Sequence, residues 1–108
     1  ETGLTVNILR SEKILNNSID VIELDSPVTI LLESISDPVE GEHFHIDMIY
    51  FSEAVHPEDV NNGWVWVHKN DLLKRIEIVN NLGISAAPPE DVILLGIKCL
   101  EDRRKSGY

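Results

Sequence analysis

The chain has 108 residues, 43% of them apolar and 26% charged, which suits one domain with a packed core beneath a solvated surface. Nineteen acidic against nine basic residues give a formal net charge of −10, a field that repels phosphate backbones and anionic lipid and disfavours nucleic acid or an acidic membrane as direct partners. The single cysteine, Cys99, excludes an internal disulfide framework and a cysteine-based zinc cluster.

The cysteine usage predicts a cytoplasmic setting, and no 18-residue apolar run is present for a membrane span. A small anionic ligand stays compatible with the charge if divalent cations neutralise the local field, since acidic clusters attract Mg²⁺. The chain opens on Glu1 and its only methionine is Met48, so it reads as an excerpt of a longer protein.

In chain order, Leu4, Val6 and Ile8 alternate with Thr5, Asn7 and Leu9, which predicts a strand over 4–10. Asn16, Asn17 and Ser18 mark a turn, and "IDVIEL" predicts a short strand before the break at Asp25-Ser26-Pro27. "VTILLESI" has apolar residues on both faces, the pattern of a central strand. Pro38 and Gly41 in "SDPVEGEH" turn the chain into "FHIDMIYFS", predicting an antiparallel hairpin. In its second arm Phe44, Ile46, Met48 and Tyr50 share one face, and His43, His45, Asp47, Ile49 and Phe51 share the other.

"GWVWV" predicts a further strand with Trp64 and Trp66 on one side and Val65 and Val67 on the other. Asn70 is a candidate cap for a helix whose Leu72, Leu73, Ile76 and Val79 form a stripe ending near Gly83. A last helix starts around Pro88 and Pro89, with Glu90 and Asp91 in its first turn and Arg103, Arg104 and Lys105 in its last. Val92, Leu95, Gly96, Cys99 and Leu100 are its expected buried face. No repeat or linker interrupts the pattern, so 1–108 is expected to form one α+β unit.

The order of these segments carries a resemblance. "ETGL" leads into a strand, "PVTILLESI" is followed by a short loop and "HFHIDMIYF", "WVWVHKNDL" begins a helix, and "PPEDV" opens a terminal helix. That succession resembles the carboxyl-terminal two-thirds of a Nudix hydrolase domain. The family signature is a Gly, five residues, Glu, seven residues, then Arg-Glu-apolar-any-Glu-Glu-any-Gly-apolar. Glu1, Thr2, Gly3 and Leu4 match its last four places.

The resemblance implies an α/β/α sandwich around a mixed sheet, with the first strand and the catalytic helix lying before Glu1. It also implies Mg²⁺- or Mn²⁺-assisted attack of water on a nucleoside diphosphate linked to another moiety. Closely spaced helical carboxylates would hold the cation and lower the pKa of bound water. Of that set only Glu1 is present, in the place of a usual metal ligand, so this segment alone is expected to be inactive.

Each candidate has a structural alternative. Glu1 is a metal ligand or an exposed terminal carboxylate. His45 and Asp47 contact substrate or are half-buried strand residues with local hydrogen bonds, and His43 shares the phosphate-contact option. Glu53, with Glu58 and Asp59, is a distal carboxylate or part of an acidic solvated loop. Trp64 stacks a nucleobase or packs in the core, and Trp66 matches the family's core tryptophan. Gly3 reads as a helix-ending glycine with positive φ. Cys99 reads as a buried small hydrophobe.

The four histidines lack the spacing of a zinc site. The competing functions are a Nudix pyrophosphohydrolase, a catalytically silent Nudix-like nucleotide-sensing or protein-interaction domain, and an unrelated small α+β protein. Removing a helix from such a domain bares apolar sheet, which predicts a homodimer or an exchange of elements.

Overall fold

The computed structural model describes residues 1–9, 13–15 and 20–105, and the side chains of 1–9, 13–15 and 20–103. The expected turn at Asn16, Asn17 and Ser18, the Arg10 end of the first strand, Ile19, and the Arg104 and Lys105 side chains lie outside them. The fold is α+β, with small antiparallel sheets and, among the described residues, two α-helices. It divides into two compact units, one of Thr5–Val55 and one of Glu1–Leu4 with His56–Tyr108.

In the Thr5–Val55 unit the expected hairpin forms from β2 (Thr29–Asp37) and β3 (Gly41–Ile49). Nine residue pairs run from Thr29↔Ile49 to Asp37↔Gly41. Its turn follows from local chemistry: the Asp37 carboxylate accepts the amides of Val39 (2.7 Å) and Glu40 (2.9 Å), and Gly41 takes φ +80°, which costs glycine nothing. β1 (Val6–Ile8) is shorter than the 4–10 expected and pairs antiparallel with β4 (Ser52–Ala54).

Two expectations for this unit are corrected. Described residues 20–24 of "IDVIEL" form no ladder. Instead the Glu23 carboxylate accepts the amides of Ile14 (3.0 Å) and Leu15 (2.5 Å), and Lys13 Nζ donates to the Glu23 carbonyl and pairs with Asp25. Side-chain bonds thus take the place of strand pairing. β2 is not a central strand among the described residues either, because β3 is its one neighbour there and Ile30 and Leu32 stand 58% and 69% exposed.

In the other unit α1 spans only Lys69–Lys74, with His68 as N-cap and Asn70 inside the first turn rather than capping it. The chain leaves the helix at Arg75, φ 53°, whose amide returns to the Leu72 carbonyl (3.1 Å). The β-branched Ile76, Ile78 and Val79 resist helix continuation. Ile78–Val79 becomes β5, paired antiparallel with β6 (Ser85–Ala86). Asn80 builds the connecting turn by accepting the amides of Leu82 (2.9 Å) and Ile84 (3.0 Å), and Gly83 takes φ +77°. The expected helix to Gly83 is therefore a short helix followed by a hairpin, and "GWVWV" joins no ladder.

α2 (Glu90–Lys105) starts after the tandem prolines as expected. Its buried face is centred on Ile93, 2% exposed; of the expected set Leu95, Gly96 and Cys99 are partly covered, as is Ile97, whereas Val92 and Leu100 are exposed. Gly96 admits Leu72 of α1, since a Cβ there would stand 3.3 Å from Leu72 Cδ1. Arg75 grips Glu90 through both carboxylate oxygens, tying the end of α1 to the first turn of α2. No helix among the described residues is long and apolar enough to cross a membrane.

Three of these carboxyls lie below their ordinary range. The Arg75 guanidinium lowers Glu90, the amides of Ile14 and Leu15 lower Glu23, and the amides of Glu40 and Val39 lower Asp37. Unfolding returns them to ordinary values of 4.5 for glutamate and 3.8 for aspartate. Their contribution is therefore fully present above those values and lost as pH falls through the lower folded ones. Urea midpoints should decline below about pH 4.5, and Glu90→Gln should flatten part of that decline.

Candidate functional site

The hairpin register sorts the polar candidates onto one face. Glu33, Asp37, His43, His45 and Asp47 alternate with the apolar set, and Glu33↔His45, Ile35↔His43 and Leu31↔Asp47 are direct cross-strand neighbours. His43 and Asp47 are partly covered and His45 is exposed. The sequence pattern placed His45 and Asp47 together, and the register adds Glu33 opposite His45. Glu33 was hidden inside an aliphatic run, and the three-residue connection Pro38–Glu40 was the signal that would have aligned it.

His43 and His45 form a pair. Their Nε2 atoms are 3.2 Å apart, with ring centroids separated by 5.0 Å and planes inclined at 54°. His43 Nδ1 lies 3.0 Å from the Gly41 carbonyl, which can only accept. Neutral His43 therefore carries its proton on Nδ1, and its Nε2 accepts from His45 Nε2–H. Glu53 sits in the same unit on β4, opposite Asn7.

Glu1 and Trp64 belong to the other unit. The Glu1 side chain is exposed, while its carbonyl accepts from Asn61 Nδ2 (3.1 Å) and the Thr2 carbonyl accepts the Asn61 amide (2.8 Å). Gly3 has the expected positive φ, +77°, and a Cβ there would fall 2.5–2.7 Å from the Asn61 side chain. Asn61, unmarked in the sequence, is thus the anchor of the opening turn. Gly3→Ala should cost about 1–2 kcal/mol from its left-handed backbone alone and displace Asn61, read as a lower urea midpoint with unchanged slope.

Neither tryptophan is in a core. Trp64 is 47% and Trp66 56% exposed, and Trp66 Nε1–H donates to the Pro57 carbonyl at 2.8 Å. The expected core role of Trp66 is corrected: more than half of the residue is exposed, and its N–H is satisfied by the preceding turn. Val65 and Val67 instead line a cleft of about 280 Å³ with Ile78, Ile84, Ala86 and Pro88. The polar side chain of that cleft, Asn80, spends its amide on the Gly63 carbonyl (2.9 Å) and its oxygen on the turn. Cys99 is partly covered, and burial, reinforced by Asp102 and offset in part by Arg103, pushes its thiol pKa up. It is protonated and poorly nucleophilic at neutral pH.

The implied Mg²⁺ or Mn²⁺ site does not fit the residues described. Glu1 offers one carboxylate, and no group of three or more His, Cys, Asp or Glu among the described residues is arranged to hold a metal ion. Comparison of the chain with family models, with curated proteins and with solved structures gives no match.

Proposed function

We propose that this chain is the carboxyl-terminal part of a Nudix-type pyrophosphohydrolase. Its activity is Mg²⁺- or Mn²⁺-dependent hydrolysis of a nucleoside diphosphate linked to another moiety. The observation that carries the reading is the opening turn: "ETGL" presents Glu1, then a positive-φ glycine, then an extended segment, as the end of the signature requires. The order of hairpin, tryptophan segment and terminal helix supports it. In the whole domain the described strands belong to a mixed sheet inside an α/β/α sandwich. The remaining metal ligands lie on polypeptide before Glu1, so no catalytic step is assigned to the described residues. His45, Asp47, Glu53 and Trp64 are the proposed substrate contacts.

The reading is tested by sequencing the coding DNA upstream of Glu1 and checking the intact mass of the native protein. An Arg-Glu-any-any-Glu run directly before Glu1 is expected. The protein carrying it should cleave nucleoside diphosphate derivatives only with Mg²⁺ or Mn²⁺, and Glu1→Gln should raise the metal concentration required. Absence of the run, or metal-independent turnover, rejects the enzyme reading. A catalytically silent nucleotide-sensing or interaction domain is the second reading, favoured by the exposed apolar face of the β2–β3 hairpin.

A further inference from the structure

The β2–β3 hairpin has two unlike faces. One carries Glu33, Asp37, His43, His45 and Asp47; the other carries Ile30, Leu32, Phe44, Ile46 and Met48, flanked by Val28 and Tyr50. The five apolar residues of the second face are 58–69% exposed, and Val28 and Tyr50 are 42% and 38% exposed. Single exposed apolar residues are ordinary, but a contiguous set paired as Ile30↔Met48 and Leu32↔Ile46 is an interaction surface.

Its area and charge select the partner. A side chain of this size exposes on the order of 200 Å² when fully free, so the patch offers about 800 Å², one side of a standard protein interface. It carries no charged residue between Val28 and Leu32 or between Phe44 and Tyr50, in a chain of net charge −10. A charged peptide gains nothing there, whereas an identical uncharged face is complementary in both size and chemistry. The nearest charge on this face, Glu42, sits beside the hairpin turn opposite Ser36.

We propose that in the 108-residue segment, without the helices that the α/β/α sandwich of the proposed whole domain would add, this face is the interface of a symmetric homodimer in which two β2–β3 hairpins stack face to face, their turns at opposite ends. That arrangement separates the two Glu42 carboxylates. The two-fold axis passes between the Ile30–Met48 and Leu32–Ile46 pairs, making the contact isologous and closed. Packed sheets lie about 10 Å apart, which lets the two sets of side chains interdigitate.

Sedimentation velocity and equilibrium of the 108-residue chain, over a wide concentration range at about 0.15 M salt, test this. A reversible monomer–dimer equilibrium is expected. Leu32→Lys and Ile46→Lys should each weaken it at least about tenfold by placing paired charges at the axis. Each change lowers the magnitude of the net charge from 10 to 9, so overall repulsion would shift dimerisation the other way. Because both positions are exposed, far-UV circular dichroism should stay the same. Glu33→Lys, with a larger charge change on the opposite face, should not weaken the dimer.

A chain monomeric at every concentration overturns the proposal and leaves the face to another protein or another stretch of polypeptide. A dimer indifferent to both face substitutions overturns it as well. So does open-ended assembly, which would point to pairing along the free strand edges instead.

Discussion

Ile93→Ala should destabilise the His56–Tyr108 part of the chain by about 2–5 kcal/mol, the usual range for truncating a fully buried aliphatic side chain. Ile93 is 2% exposed and is the one fully enclosed large side chain among the described residues. Its amide bonds to the Pro89 carbonyl at 3.0 Å, so it sits in the first turn of α2, where the helix axis is set. Both tryptophans, Trp64 and Trp66, lie in this unit, so their fluorescence follows its unfolding directly. A urea midpoint unchanged by Ile93→Ala would mean that α2 is not what organises this unit. Leu94→Ala makes the comparison: at 56% exposure it should shift the midpoint little.

The elements written most plainly in the sequence were those with local causes. The β2–β3 hairpin combines two apolar-rich arms, the second alternating, with a turn marked by Pro38 and Gly41, and α2 combines tandem prolines, Glu90 and Asp91 at its start. Both forms of signal act within a few residues: α2 starts within about two residues of expectation, and the hairpin forms with its second strand, Gly41–Ile49, three residues earlier than the expected 44–52. The misread stretches are those where apolar spacing admits two periods. Leu72, Leu73, Ile76 and Val79 satisfy a helical stripe, yet Ile76, Ile78 and Val79 are β-branched, and an Asn80 side chain that bonds two amides makes the turn of a hairpin cheaper than further helix. "IDVIEL" looks like a strand, but a strand requires a partner backbone, and Glu23 gives the Lys13–Leu15 segment side-chain bonds in its place.

Of the candidate site, alternation was enough to group His45 with Asp47, because residues two apart on a strand share a face whatever the tertiary structure. It could not reveal Glu33, which needs the pairing register, or Asn61, which is far from Gly3 in the chain and meets it only after folding. The tryptophans show the opposite error. Large aromatic residues are usually covered, and a core position for Trp66 followed from the resemblance rather than from its own surroundings. Its exposed ring and satisfied N–H are properties of the extended segment that carries it.

Phe51→Ala should have the largest effect in the Thr5–Val55 unit, about 3–5 kcal/mol, while Phe44→Ala should leave the isolated monomer nearly unchanged. The two rings differ in surroundings, not chemistry: Phe51 is 8% exposed and Phe44 67%. Phe51 occupies the joint between β3 and β4, and its carbonyl accepts the Leu9 amide at 2.7 Å just beyond β1. The same residue thus closes the hydrogen bonding next to the β1–β4 ladder and encloses apolar surface where the chain passes from one sheet to the other. Phe51→Leu, which keeps much of the volume, should cost less than the alanine variant. Hydrogen exchange read on peptides from β1, β3 and β4 would show the loss as faster exchange across all three in Phe51→Ala. Measured at concentrations below dimer formation, Phe44→Ala should leave those rates alone. Raised into the dimeric range, wild-type protein should gain protection over β2 and β3, and Phe44→Ala should gain less. Equal sensitivity of the monomer to both substitutions would mean that Phe44 is already covered within the single chain, and the hairpin face would then be core rather than interface.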